Sequence, residues 1–484
     1  MPTPLIRREL LKTLPAIWPD SLLPQIQAQV RASGRKLIIL DDDPLGSQTA
    51  YDLPIVTDWS ATTLRAELAD DAPACFVLTN SRSMPAGQAE DVYEEIGRSL
   101  TQLEVQTGQA FNILTRCDST LRGHFPGEVE ALQRGMNRPF SACLFIPFFA
   151  EGGRLTINDM HYVTEDDQLI PVGQSSYAQD VVFSFQASNL REWVAEKMNG
   201  RIIPHHIPSI SLADIRQGGP ERVAHCLRRL HDGLICIVNA ADQRDIEVFV
   251  QGLLIAEAEG KRFLYRTAAS FIPARLGLPP RPVLTASDLD LPASGGGLII
   301  VGSHMPQTTS QLQALLALPG IHSTEVYVPA LLDEQQRQAE IARVVQHVEA
   351  GLCSQRDVVI YTSRQLVRGE DIKSTLQLGR HISGSLVAIT HLLTTRPRYL
   401  LVKGGITASD LATQALQVQR AIVLGQLMPG VPIWRIGSES RFPHLCIIVF
   451  PGNVGDTQAL VTAISRLSSA PKANESRPER FNPG

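Results

Sequence analysis

The sequence is poor in the features that mark several protein classes. Its seven cysteines, at 75, 117, 143, 226, 236, 353 and 446, are odd in number and include no C-x-x-C pair. That excludes a disulfide framework or a cysteine zinc site and predicts small buried thiols in a reducing compartment. No segment approaches 18 consecutive apolar residues, and residues 1–15 lack the continuous apolar stretch of a secretion signal. A membrane partner is therefore not expected, and the expected location is the cytoplasm. Lys and Arg form no block; 44 basic residues stand against 49 acidic ones, for a formal charge of -5. With no basic stripe interleaved by aromatics, nucleic acid is not an expected partner either. Internal repeats and low-complexity tracts are also missing.

What is present is ample core material: 484 residues, 44% apolar, too long for one compact domain. Short aliphatic runs alternate with helical patterns, which predicts α/β units and mainly parallel sheets. In the first half the runs are 37–40, 76–79, 111–115, 143–149 and 234–238. In the second they are 298–301, 325–328, 357–361, 399–402 and 446–450, with helical stretches such as 332–350 between. The Pro-, Gly- and Ser-rich stretch 278–297 reads as a linker. The expected fold class is α/β with two domains, each a mainly parallel sheet flanked by helices, and a cleft between them. The expected boundaries are an N-terminal helical extension at 1–34, domains at 35–285 and 286–470, and a flexible tail at 471–484.

The polar loops follow the strands. "LIILDDDPLG" (Leu37 to Gly46) ends an apolar strand in three adjacent carboxylates, Asp41, Asp42 and Asp43, before Pro44 and Gly46 force a turn. Like charges packed at a strand end repel unless a cation or a positive partner visits, which points to a site. "NSRSM" (Asn80 to Met84), "RCDSTLRGHFPGE" (Arg116 to Glu128) and "AEGGRLT" (Ala150 to Thr156) follow the next strands. In an open parallel sheet these loops share one edge. Carboxylates beside Arg82, Arg116, Arg122 and Arg154 suit an anionic substrate, with an Asp left to take a proton or hold a metal. Asp118, Ser119 and Thr120 lie in a strand-to-helix loop, the helix opening near Pro126 with Val129, Leu132 and Met136 on one face. They read equally as catalytic groups or as a hydrogen-bonded turn.

The second half carries glycine loops. In "YLLVKGGITASDLATQAL" (Tyr399 to Leu416) a strand meets a Gly pair and then a helix, with Leu411, Ala415 and Val418 on one face and Thr407 and Asp410 in capping-box spacing. Paired glycines at a helix start let backbone N–H groups approach a phosphate. Lys403 either pairs with that phosphate or ends a strand. "GSHMPQTTSQL" (Gly302 to Leu312), "GQLMPGVP" (Gly425 to Pro432) and "FPGNVGD" (Phe450 to Asp456) reinforce the phosphate reading, although each alone reads as a tight turn.

Together, "DDDPLGS", "NSR", "DSTLRGH", "GGITASD" and "PGNVG", in this order, resemble the four-carbon acid sugar kinases, over nearly the whole chain after the first thirty residues. The resemblance implies that 35–285 binds a sugar acid and 286–470 binds ATP with Mg²⁺, and that a terminal hydroxyl of threonate, erythronate or a 3-oxo-tetronate is phosphorylated. Carried over by motif, Asp43 and Asp118 are the catalytic candidates, and Asp42, Arg82, Ser119 and Arg122 contact the substrate. Ser303, Gly404, Gly405, Ile406, Thr407, Gly452 and Asn453 hold the nucleotide. No metal ligand is assigned, and a homodimer is among the assemblies left open. Leu45 stands where the family motif has Thr, "FPGNVG" replaces a Lys-Ser-Gly-x-Phe-Gly type loop, and the long segment 161–201 resembles a longer-chain subgroup. Two other readings stand beside this one. In a haloacid-dehalogenase-like phosphatase Asp41 is the nucleophile and Asp43 the acid/base; in a non-catalytic sensor both pockets persist without turnover.

Overall fold

Aliphatic runs of four to six residues bounded by turn formers become strands because both of their faces can be buried between helices. The computed structural model describes residues 5–364 and 372–468, the side chains of 372–377 excepted; the expected tail lies outside the described residues. The chain divides into two units. One takes the residues up to Arg281 together with Val418–Val423, the other Pro282–Gln417 together with the residues from Leu424 on.

In chain order the first unit contains β1 (Leu5–Ile6), β2 (Lys36–Asp41), β3 (Leu53–Val56), β4 (Ala74–Leu78), β5 (Phe111–Arg116), β6 (Ala142–Ile146), β7 (Arg154–Ile157), β8 (Met160–Glu165), β9 (Gln168–Pro171), β10 (Ser209–Ile210), β11 (Leu234–Val238) and β12 (Phe263–Thr267). The second contains β13 (Leu298–Val301), β14 (His322–Val326), β15 (Val358–Thr362), β16 (Leu400–Lys403), β18 (Val431–Ile436) and β19 (Cys446–Phe450), with β17 (Arg420–Met428) divided between the units.

The main sheet of the first unit runs β10-β11-β6-β12-β5-β2-β4-β3-β17. Its pairs are parallel except the last, where Arg420–Val423 lie antiparallel to β3. All six residues of β2 are buried, with β4 on one side and β5 on the other, so Asp41 stands opposite both Leu78 and Arg116. The chain leaves β2 for one side of the sheet and returns at β5 on the other, and that reversal opens a crevice at the strand ends. A smaller antiparallel sheet, β1-β9-β8-β7, is built from the long segment that follows β6, with Leu5–Ile6 from the expected N-terminal extension added as its edge strand against β9.

The second unit repeats the device in the order β17-β18-β19-β16-β13-β15-β14. β13 is fully buried between β15 and β16, so its loop and the loop after β16 adjoin.

The structure alters several local expectations. The strand expected at 325–328 begins at His322 and ends at Val326, because Pro329 starts a helical turn at Val328–Leu332. "GQLMPGVP" is a strand, a Pro-Gly turn and a second strand, with Gly430 at φ 78°. The pairing Ile433↔Ile448 sets that turn at the edge where β19 ends. Among the described residues no helix is long and apolar enough to cross a membrane.

Candidate active site

The three adjacent acids do not carry three charges. Asp41 is fully buried and neither carboxyl oxygen has a hydrogen-bond partner; the Nε of Arg116 is 3.6 Å away. Burial pushes its pKa up to about 8, and the neighbouring Asp42 and Asp43 add to the effect against the pull of Arg116. Asp41 therefore holds a proton at neutral pH. Gly46 closes over it so tightly that a Cβ there would fall 2.0 Å from Oδ1. Asp42 takes the opposing charges. Its Oδ1 accepts from Arg82 at 2.7 Å and from Arg116 at 3.1 Å, and its Oδ2 accepts from Arg82 Nε at 3.1 Å. Asp43 is half-buried; its Oδ1 accepts the Leu45 N–H at 2.7 Å and its Oδ2 lies 3.3 Å from Arg82. Arg82 thus reaches from the loop after β4 to both acids after β2, joining two of the expected strand-end loops.

The loop after β5 is fixed from two sides. Burial would raise the pKa of Asp118, but Arg122, Arg82 and the Thr120 hydroxyl hold it well below the usual carboxylate range. Arg122 Nε donates to Asp118 at 2.6 Å, and Arg122 also pairs with Asp180 at 3.5 Å and stacks on Tyr177 at 5.2 Å. The buried His161 of β8 donates from Nε2 to the Ser119 carbonyl at 2.7 Å, while its Nδ1 faces the Thr156 hydroxyl at 2.9 Å. Burial lowers the His161 pKa to about 4, so the ring is neutral. Glu128, buried and pushed up to about 7 by desolvation and by Asp42, accepts from Ser81 at 2.6 Å and ties this loop to the one after β4. Asp180, Tyr177 and His161 were missed in the sequence, where they carry no local motif and lie about 40 to 60 residues from the loop they brace. Asp42, Asp43, Arg82, Asp118, Ser119 and Arg122 all stand on the loops after β2, β4 and β5.

In the second unit Ser303, Gly404, Thr407 and Gly452 converge. The backbone N–H of Ser303 donates to the Lys403 carbonyl at 3.1 Å, and that of Gly404 to Phe450 at 2.9 Å. A Cβ on Gly302 would fall 2.7 Å from the Thr407 hydroxyl, and one on Gly452 would fall 2.6 Å from that of Ser303. Gly404 has φ 134°, a conformation open only to glycine. The Ser303 hydroxyl accepts from Thr308 at 3.1 Å. Gly405 begins the helix Gly405–Asp410, Ile406 is 60% exposed, and Asn453 is exposed on the loop after β19. The expected capping box does not form: Gly404 is the N-cap with no side-chain bond, and Asp410 instead accepts from Ser383. The regular helix also stops early, giving way to a π turn at Leu411–Ala415. Lys403 spends its side chain on the protein itself. It is fully buried, lies 3.8 Å from the centre of the Phe450 ring, and donates to the carbonyls of Pro451 at 2.6 Å and Val454 at 3.3 Å. Arg364, not singled out in the sequence, donates to the Ser303 carbonyl at 2.9 Å and contacts His304 Nδ1 at 3.2 Å.

Comparisons with known proteins fall on the same division. A family model described as a sugar-binding N-terminal domain matches residues 37–275, and one described as a nucleotide-binding C-terminal domain matches 298–460. The D-erythronate kinase of Heliobacterium modesticaldum is 24% identical over 359 residues, 73% of this chain and 72% of the relative. The 3-oxo-isoapionate kinase of Paraburkholderia graminis is 28% identical over 219 residues, 43% and 45% of the two chains. The chain belongs to the four-carbon acid sugar kinase family. A solved Haemophilus influenzae protein shares the fold, with a TM-score of 0.60 at 17% identity, over 89% of this chain and 100% of that one. In this family member, the first matched domain carries the acid–arginine cluster and the second the glycine cradle.

Proposed function

We propose that the protein is an ATP-dependent kinase that phosphorylates a terminal hydroxyl of a four-carbon sugar acid of the threonate, erythronate or 3-oxo-tetronate type. The observation that carries the reading is the arginine-bound pair Asp42 and Asp43 at the strand crossover of a unit matched by a sugar-binding domain. Phosphoryl transfer depends mainly on positioning and charge neutralisation, so the groups needed are an acceptor that orients the hydroxyl and a cradle for the phosphates.

The proton-accepting role is assigned to Asp43 because Asp118 is unsuited to it. Asp118, held strongly ionised by Arg122 and Arg82, is a weak base and instead orients substrate hydroxyls together with Ser119. Arg82, bonded to both Asp42 and Asp43, holds those carboxylates aligned. The nucleotide is assigned to the second unit because Gly302 and Gly452 let the Thr407 and Ser303 hydroxyls close on the loop backbone, and Gly404, at φ 134°, turns the chain where the helix begins. Ser303, Gly404, Gly405, Ile406, Thr407, Gly452 and Asn453 form its wall, and Arg364 braces it through the Ser303 carbonyl. Among the described residues no three His, Cys, Asp or Glu side chains gather as a metal site. Mg²⁺, bound with the nucleotide, would supply neutralisation of the phosphate charge. The phosphatase reading is disfavoured, since a buried, protonated Asp41 is a poor nucleophile.

Coupled ADP release with ATP and Mg²⁺ against D- and L-threonate, D-erythronate and 3-oxo-tetronates tests the proposal. Turnover with one acid supports it and names the substrate. Nucleotide binding without turnover of any acid replaces it with the sensor, and phosphate release from a sugar phosphate without ATP replaces it with the phosphatase.

A further inference from the structure

The arginines around the first site differ in what opposes their charge. Arg82, Arg116 and Arg122 each stand within 3.6 Å of at least one carboxylate. Arg154 and Arg266 have no carboxylate within ion-pair distance among the described residues. Arg266 is 1% exposed, its guanidinium lies over the rings of Phe125, Phe145 and Trp193 at 5.2–5.8 Å, and although its Nε and Nη2 have no hydrogen-bond partner its charge is opposed by the nearby Glu128 and Asp42, so it is sealed beneath the site. That leaves Arg154, half-buried at the start of β7, as the guanidinium without a counter-charge.

Its placement is built. Backbone bonds to Phe149 in both directions, at 2.9 and 3.1 Å, pin Arg154 to the loop after β6. Gly152 makes room for the guanidinium, since a Cβ there would fall 2.4 Å from Nη1. Nη1 donates to the Gly152 carbonyl, and Nη2 donates to the Tyr177 hydroxyl at 3.1 Å. Nε is buried without a partner. The ring of Tyr177 backs both Arg154, at 5.5 Å, and Arg122, at 5.2 Å, and Arg122 is bonded to Asp118. One aromatic ring therefore joins the uncompensated guanidinium to the loop that faces the substrate. A half-buried guanidinium with no carboxylate is unfavourable unless an anion arrives from outside. The Tyr177 hydroxyl, already accepting from Arg154, keeps its own proton to donate to the same anion.

We propose that Arg154, oriented by Tyr177 and Gly152, receives the carboxylate of the sugar acid and sets the preference for acids over the corresponding polyols. Arg122, bound to Asp118 and Asp180, has a positioning role instead. The inference rests on the proposed kinase reading for its substrate class, and on the charge balance of the first unit for its residue.

The test compares wild type, Arg154→Met, Arg154→Lys and Tyr177→Phe with ATP, using D-erythronate and D-threonate against erythritol and threitol. Arg154→Met is expected to raise the KM for the acid roughly 10- to 100-fold, from the loss of a charge-assisted hydrogen bond. The kcat at saturating acid, the KM for ATP and the melting temperature stay close to wild type, and the preference for acid over polyol falls by the same factor. Arg154→Lys keeps part of the preference, and Tyr177→Phe loses less than Arg154→Met. An unchanged acid KM, or equal losses with acid and polyol, overturns the proposal. If the wild type turns over no acid, the kinase reading fails on its own, and calorimetric titration with D-threonate without ATP still decides. Binding weakened in Arg154→Met supports the carboxylate site. Equal binding overturns it, and the lack of any wild-type acid binding overturns both.

Discussion

At the scale of single residues, the loop after β2 works by removing charge as much as by supplying it. Asp41 is the buried foundation: its pKa stands near 8, above the ordinary carboxylate value of about 4. Between those two values the unfolded chain has released a proton that the folded chain retains, so stability falls as pH rises through that window. Asp41→Asn, which imitates the neutral acid, should reduce the fall in melting temperature between pH 5.5 and 8 by roughly 2–4 °C per kcal/mol recovered. Thermal scans at the two pH values check this, and an unchanged difference would show that Asp41 is ionised in the folded protein. The two remaining candidates separate by function. Asp43→Asn is expected to lower kcat by about 10²–10⁴ with little change in the KM for the acid, as loss of a general base does. Asp118→Asn is expected to act mainly on that KM, by roughly tenfold, through loss of a substrate-orienting hydrogen bond. Steady-state kinetics on both variants decide, and full activity in both would remove the acid–base assignment.

At the scale of elements, what was legible was what is locally coded. The runs 234–238, 298–301 and 446–450 coincide with β11, β13 and β19, because a strand buried on both faces must be aliphatic throughout. The alternating burial of β17 and the edge character of β14 give no such run, and these strands were missed or displaced. The same limit applies at the site. Strand-end loops announce themselves by their acids, arginines and glycines, whereas Tyr177, Asp180 and Arg364 matter only through partners distant in sequence. Lys403 is the element-scale case. It looks like a phosphate ligand beside a Gly pair, yet its side-chain nitrogen, its pKa lowered to about 7 by burial, ties the end of β16 to the loop after β19. Removing it should free the Pro451–Val454 turn without touching the first unit. Lys403→Met is therefore expected to raise the KM for ATP about tenfold, the equivalent of one hydrogen bond, while the KM for the acid holds. An equal change in both constants would mean a general loss of structure.

At the scale of the whole molecule, the chain does not cross between its units once. The Pro- and Gly-rich stretch at 278–297 reads as a single linker, and composition contains no sign that six later residues return. Val418–Val423 belong to the first unit because they close the open edge of β3: Asp52 N–H donates to Val423, Thr57 N–H donates to Gln419, and Ala421 lies opposite Ile55. Arg420 on this segment also bonds to Glu67 at 2.6 Å and to Asp70 at 3.0 Å, and Glu67 is only 3% exposed. A fragment of residues 1–281 would thus present an unpaired strand edge and a buried carboxylate without its cation, two defects that favour association and lower stability. Urea unfolding of that fragment is expected to show a loss of about 1–3 kcal/mol relative to the same fragment joined by a Gly-Ser linker to residues 416–424. Arg420→Met in the joined form should give back much of the gain, since the backbone ladder would be restored but Glu67 left unpaired. Equal midpoints for the three forms would mean that the first unit is complete without the returning strand, and that β17 belongs to the second unit alone.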